Sequence, residues 1–147
     1  MTLNPDQFSY RGSHQPDTSD EEVRFHELDK AMPDFYKEPR HYFHGPSDYK
    51  NEHKEALRQA LGARSNPNAV VRIYRAVPHG VDTINPGDWV TTSRNYAVSH
   101  GQRTEDPSED WPVIEATVRA KDISFGGNDA LEFGYAGKKP LRHKGNE

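Results

Sequence analysis

The sequence predicts an α+β domain with helices first and strands after. Apolar residues recur at helical spacing only in the first half, while β-branched and aromatic runs fill the second. Between those later runs stand Pro78-His79-Gly80, Asn85-Pro86-Gly87 and Gly126-Gly127-Asn128, the residue types of turns. A chain of 147 residues supports one hydrophobic core, so a single domain over 1–147 is expected, with an extended arm and helices in 1–66 and a β-rich core in 67–140.

Residues 4–22 are rich in Pro, Gly, Ser and Asp and read as an extended arm that Phe8 and Tyr10 pin down. From Asp20, the apolar positions Val23, Leu28 and Ala31 or Met32 mark a helix that stops near Pro33. The segment 33–46, dense in proline and aromatic residues, reads as an irregular packed loop. From Ser47 onward, Tyr49, His53, Ala56, Leu57, Ala60 and Leu61 share one helical face, with Gly62 at the C-cap. Strands are expected at Ala69–Val77, Asp88–Thr92, Val113–Val118 and Leu131–Tyr135, and two helical turns fit Arg94–His100.

Only 32% of residues are hydrophobic and the mean hydropathy is −1.05, so the core is small and the surface strongly polar. A net charge of −4 gives no overall attraction to phosphate backbones, and a nucleic-acid partner would need a local basic patch. The absence of cysteine removes disulfides, thiolate nucleophiles and cysteine-type zinc sites, which suits a reducing compartment, with the cytoplasm as the default expectation. No stretch approaches the ~20 apolar residues of a membrane span, and Met1–Tyr10 lacks the apolar centre of a signal peptide, so no membrane association is expected. His41, His44 and His53 follow no standard ligand spacing, so no metal is expected. Glu105, Asp106, Glu109 and Asp110 lie among proline and polar residues and read as a solvated loop.

Three places carry possible chemistry. Arg75 shares a strand face with Val71 and Ile73; its guanidinium must either find an anion or several acceptors, or reach solvent or a carboxylate at the strand end. Thr91, Thr92 and Ser93 suit a strand followed by an N-cap, or else Thr91 and Ser93, two apart, present hydroxyls to a ligand. Glu132 lies between Leu131 and Phe133 in a stretch with glycines at 126, 127, 134 and 137; it is either an exposed edge residue or a carboxylate placed to stabilise a developing cation.

Taken in order, an arginine, a hydroxyl triplet and a late glutamate resemble the Arg, Ser-Thr-Ser, Glu arrangement of the ADP-ribosyltransferase fold. More closely, "IYRAVP", "INPGDWVTTS", "YAVSHG" and "GGNDALEFGY" resemble the ADP-ribosyltransferase domains within polyvalent proteins of phages and conjugative elements, over about residues 70–136, with weaker support from "YRGSHQPD" and "MPDFYKEPRHYF". The resemblance implies split antiparallel β-sheets with N-terminal helices, and NAD as substrate in the cleft between the sheets. Arg75 then contacts NAD, Thr91, Thr92 and Ser93 match the triplet, and Glu132 matches the catalytic glutamate, which stabilises an oxocarbenium-like ribose after loss of nicotinamide. Tyr74, Trp89 and Tyr135 are candidate stackers on nicotinamide or adenine, with core packing as the other reading of each.

The pattern departs from the family in places. Thr91 replaces the first serine, which keeps the hydroxyl and stiffens the side chain. Ala130 stands where arginine-modifying members carry Glu or Gln, so arginine is not the expected acceptor. The link from Arg75 to Thr91 is too short for the helix that some toxin branches insert, which leaves 33–46 as the candidate recognition loop. The implied activity is transfer of ADP-ribose to a host macromolecule, protein or nucleic acid, in a bacterial cytoplasm, for a phage, a mobile element or a bacterial effector. A catalytically inactive binding or inhibitory module is the alternative, and NAD hydrolysis or phosphate transfer on RNA a third reading.

Overall fold

The computed structural model describes residues 16, 18–42, 50–102 and 104–143. The expectations for Phe8, Tyr10, His44, Ser47 and Tyr49 lie outside these residues. The chain runs through 3₁₀ turns at Phe25–Lys30 and Pro39–Tyr42, helix α1 (Lys50–Gly62), strands β1 (Val70–Ala76), β2 (Thr83–Ile84) and β3 (Trp89–Val90), and helix α2 (Arg94–Gly101). A 3₁₀ turn at Pro107–Glu109 leads to β4 (Val113–Arg119), and another at Ala120–Asp122 leads to β5 (Ile123–Asp129), β6 (Glu132–Tyr135) and β7 (Leu141–Arg142). The protein is thus α+β, as its sequence predicts. Its strands form three small antiparallel sheets, β1–β4, β2–β7 and β3–β6–β5.

Alternation explains the largest pair. Val71, Ile73 and Arg75 of β1 lie opposite Val118, Ala116 and Ile114 of β4, and the buried members of this face join the core while Val70 and Arg72 are exposed. One bridge links β1 to β3: Tyr74 N–H donates to Thr91 O at 2.8 Å and Thr91 N–H donates to Tyr74 O at 2.9 Å. The core is closed from below by Phe25, Leu28, Met32 and Phe35, with Phe25 edge-on to Phe133 of β6 at 5.1 Å between centroids.

Several local expectations are corrected. The first helix is a single 3₁₀ segment interrupted at Glu27 (φ −136°, ψ 40°). Its start is used differently, because Val23 and Arg24 lie beside β5 as an added strand position, with Phe125 N–H donating to Val23 O at 2.8 Å. Extended backbone there leaves room only for a tight turn, whose i, i+3 geometry aligns Phe25 and Leu28 on the buried side. In α1 the buried row is Ala56, Ala60 and then Ala63 just beyond the helix, while Leu61 is exposed. Gly62 is the last helical residue, and the left-handed position after it falls to Ser65 (φ 61°), whose N–H donates to His26 O at 2.8 Å.

Gly126-Gly127-Asn128 is strand, not turn. It sits inside β5, where pairing with β6 shifts register between Ser124 and Asp129, the kind of irregularity that glycine accommodates. Gly134 of β6 has a different reason: a Cβ there would stand 2.6 Å from Pro16 Cβ, and 2.9 Å from both Ser124 Oγ and Thr18 Cγ2. The described part of the arm therefore crosses this face of β6, with Pro16 buried.

The described part of 33–46 packs as expected. Phe35 is fully buried, Tyr36 accepts the Leu28 N–H at 3.2 Å under the Arg64 guanidinium at 4.6 Å, and Tyr42 donates to Asp34. Tyr36 and Tyr42 are both partly buried against the core. Among the described residues, no helix is long and apolar enough to cross a membrane, and no three His, Cys, Asp or Glu side chains gather as metal ligands.

Candidate functional site

Arg75 is 9% exposed and finds its partners in the turn before β3. It donates through Nη1 to the Trp89 carbonyl at 2.7 Å, and its Nε lies 3.7 Å from Asp88 Oδ2. The same carboxylate oxygen accepts the Asn85 N–H at 2.8 Å, so one anion closes the turn and meets the cation. A carboxylate was one of the two expected fates for this guanidinium, but it is met at a buried position and not in solvent. Alternation sets Arg75 and Tyr74 on opposite faces of β1, and Arg75 reaches β3 through its main chain.

The hydroxyl triplet is buried throughout, with Thr92 and Ser93 fully so. Thr91 Oγ1 accepts the Ser93 N–H at 3.2 Å, and Ser93 Oγ accepts the Tyr96 N–H at 3.2 Å as N-cap of α2. Thr92 Oγ1 meets no hydrogen-bond partner among the described residues. Its carbonyl accepts from Gln59 Nε2 at 3.0 Å. That same amide nitrogen donates to Arg72 O at 2.7 Å, while Gln59 Oε1 accepts the Arg72 N–H at 2.7 Å. One side chain of α1 thus ties β1 to the triplet.

β3 and β6 are paired, Trp89 with Gly134 and Val90 with Phe133; the triplet follows β3 directly and Glu132 opens β6. Glu132 is half-buried, and its Oε1 accepts the hydroxyl of Tyr96 from α2. The Tyr96 ring lies 4.4 Å from the His100 ring, tilted by 46°. Tyr96 and His100 lie within the quoted "YAVSHG", yet neither had an individual role among the expectations; the available signal was an aromatic side chain on a short helix.

Tyr74, the bridge partner of Thr91, lies next to this group, yet its ring is buried and its hydroxyl donates to Glu55 Oε2 at 2.5 Å. Arg72 Nε donates to that phenol at 3.3 Å, and Glu55 Oε1 accepts the Arg94 N–H at 2.8 Å. Burial, reinforced by the Glu55 carboxylate, pushes the Tyr74 phenol up to about 12. Tyr135 does not join the site. Three positions from Glu132 on one strand, it faces the core, donates to Lys139 O at 2.6 Å, and has its phenol raised chiefly by burial. Trp89 is also buried, with its ring edge toward Gly126. Of the two readings of Tyr135, the structure shows core packing, with strand alternation turning it away from Glu132.

The arrangement offers a carboxylate held by a phenol, and a buried guanidinium bonded to the β3 main chain. No protein-family model, curated protein or solved structure matches the chain.

Proposed function

We propose that the protein transfers ADP-ribose from NAD to a host macromolecule, protein or nucleic acid, acting for a phage, a mobile element or a bacterial effector in a bacterial cytoplasm. The observation that carries this reading is that Ser93 of the triplet caps the helix whose Tyr96 donates to Glu132, with Arg75 bonded to the β3 main chain two residues before Thr91. In the proposed reaction the bond between the ribose C1′ and the nicotinamide nitrogen breaks, and its electron pair leaves with nicotinamide, neutralising the pyridinium. The oxocarbenium-like ribose is captured by an acceptor nucleophile, which loses its proton. Glu132 accepts the ribose 2′-hydroxyl and gains value as positive charge develops on the sugar. Arg75 supplies positive charge toward the phosphates or the nicotinamide ribose, while Thr92 is fully buried with its Oγ1 unpartnered among the described residues.

A second reading, a binding or inhibitory module that keeps the fold without the chemistry, is favoured by one set of bonds. The hydroxyls of Thr91 and Ser93 serve the backbone, and Arg75 already has Asp88 and the Trp89 carbonyl.

Incubation with labelled NAD and a bacterial lysate separates the two readings. Transfer of label that E132Q cuts by roughly 10²-fold or more, with folding and NAD affinity retained, supports the enzyme. Near wild-type transfer by E132Q refutes the role of Glu132, and absence of any transfer favours the module. The exposed Glu105 is the control carboxylate, since Glu115 is half-buried and opposite Tyr74.

A further inference from the structure

The geometry points to Tyr96 as the positioning residue for the Glu132 carboxylate. The inference deepens the reading above and rests on it. Five observations converge. Glu132 opens β6, where a carboxylate on its flexible stem has several rotamers available. The Tyr96 hydroxyl donates to Oε1, across 36 residues of sequence, and a hydrogen bond to an ionised acceptor is among the stronger ones.

Tyr96 is itself held at both ends. Its N–H donates to the Ser93 cap, which fixes the first turn of α2 beside the triplet, and its ring packs against His100 one turn later. Glu55 receives the N–H of Arg94, so the start of α2 is also fastened to α1. The phenol therefore arrives from a seated helix and not from a loop.

Fixing one carboxylate oxygen sets the plane of the group, and so the direction in which the other oxygen points. A carboxylate aligned before the ligand arrives loses less freedom on reaching a ribose hydroxyl, and this gain is realised where charge develops. Tyr96 acts through Glu132 and touches no reacting atom in this scheme. Its loss should lower turnover and leave the binding of NAD in place.

The test uses the full chain and the Y96F variant, which removes one oxygen and keeps the ring against His100. The side-chain carboxyl carbon of Glu132, assigned by its disappearance in E132Q, is followed by NMR, alongside kcat and KM for NAD. The expected result is a displaced Glu132 resonance, a roughly tenfold or larger fall in kcat, an unchanged KM and an unchanged melting midpoint. A second measurement needs no variant: in the wild-type protein, the Tyr96 ring protons should show a nuclear Overhauser contact to the Glu132 γ protons.

An unmoved resonance, or no such Overhauser contact, overturns the inference whatever the activity. A moved resonance with unchanged kcat also overturns it, since the contact then positions nothing. Failure of the transfer reading has a separate signature, a wild-type protein that moves no ADP-ribose while the NMR contact persists; the positioning role falls with it and the contact is structural only.

Discussion

Gln59 pairs with Arg72 as a neighbouring strand would. Its amide accepts the Arg72 N–H and donates to the Arg72 carbonyl, both at 2.7 Å, on the edge where Tyr74 two residues later is bridged by Thr91. The side chain extends the ladder past the point where β3 ends, and it also reaches the Thr92 carbonyl. Q59A should cost roughly 1 kcal/mol, the usual net worth of hydrogen bonds at partly exposed positions. Q59E should cost more, because a carboxylate has no N–H for the two carbonyls. Denaturant unfolding measures both, and a Q59E protein as stable as wild type would mean that the amide does not bridge these strands.

Alkaline unfolding should carry the mark of Tyr74. Below about pH 10 the phenol is protonated in folded and unfolded chains alike. Between pH 10 and about 12 the unfolded chain gives up this proton while the folded one keeps it, so stability falls as pH rises through that window. Tyr36 and Tyr135, also raised by burial, add to the same trend. Y74F should flatten the slope of stability against pH there. An unchanged slope would show that the Tyr74 phenol titrates alike in both states.

Arg75 and Arg72, on opposite faces of β1, should respond differently to removal. R75A leaves the half-buried Asp88 and the buried Trp89 carbonyl without their cation and should destabilise by roughly 3 kcal/mol, whereas R72A removes an ion pair at 3.5 Å that is partly exposed, worth roughly 1 kcal/mol or less. If NAD binds, it raises the melting midpoint by mass action, and R75A should reduce that rise more than R72A. Equal effects on the rise would separate Arg75 from the ligand.

Gly134 allows the arm to lie on β6. G134A sets a methyl 2.6 Å from Pro16 and 2.9 Å from Thr18, so the arm must lift. Limited proteolysis should cut the variant before residue 20 faster than wild type, with β3–β6–β5 intact. Equal cutting rates would show that the arm does not depend on this contact.

Much of the fold was legible because alternation is a local signal. Val71, Ile73 and Arg75 against Arg72 and Tyr74 gave the faces of β1, and Ser93 declared itself as a cap. What escaped depends on distant partners. The broken turn at Glu27 follows from Arg24 pairing with Ser124, and β5 hid behind glycines that serve a register shift. At the site, Arg75 and the triplet were visible by type and Glu132 by its apolar neighbours. The Asp88 partner, the Gln59 bridge and the Tyr96 contact belong to pairs that only the folded chain brings together.

The order of the strands has a consequence for how the protein comes into being. Gln59 waits 33 residues for Thr92, and Tyr96 another 36 for Glu132, whose strand is the centre of its sheet. Such non-local closures slow folding, since loop entropy is lost before the contacts reward it. On the ribosome, a nascent chain that has not reached Glu132 holds the guanidinium, the hydroxyls and the phenol but lacks the carboxylate and its strand. Any chemistry that needs Glu132 is therefore withheld until β6 has been made and paired.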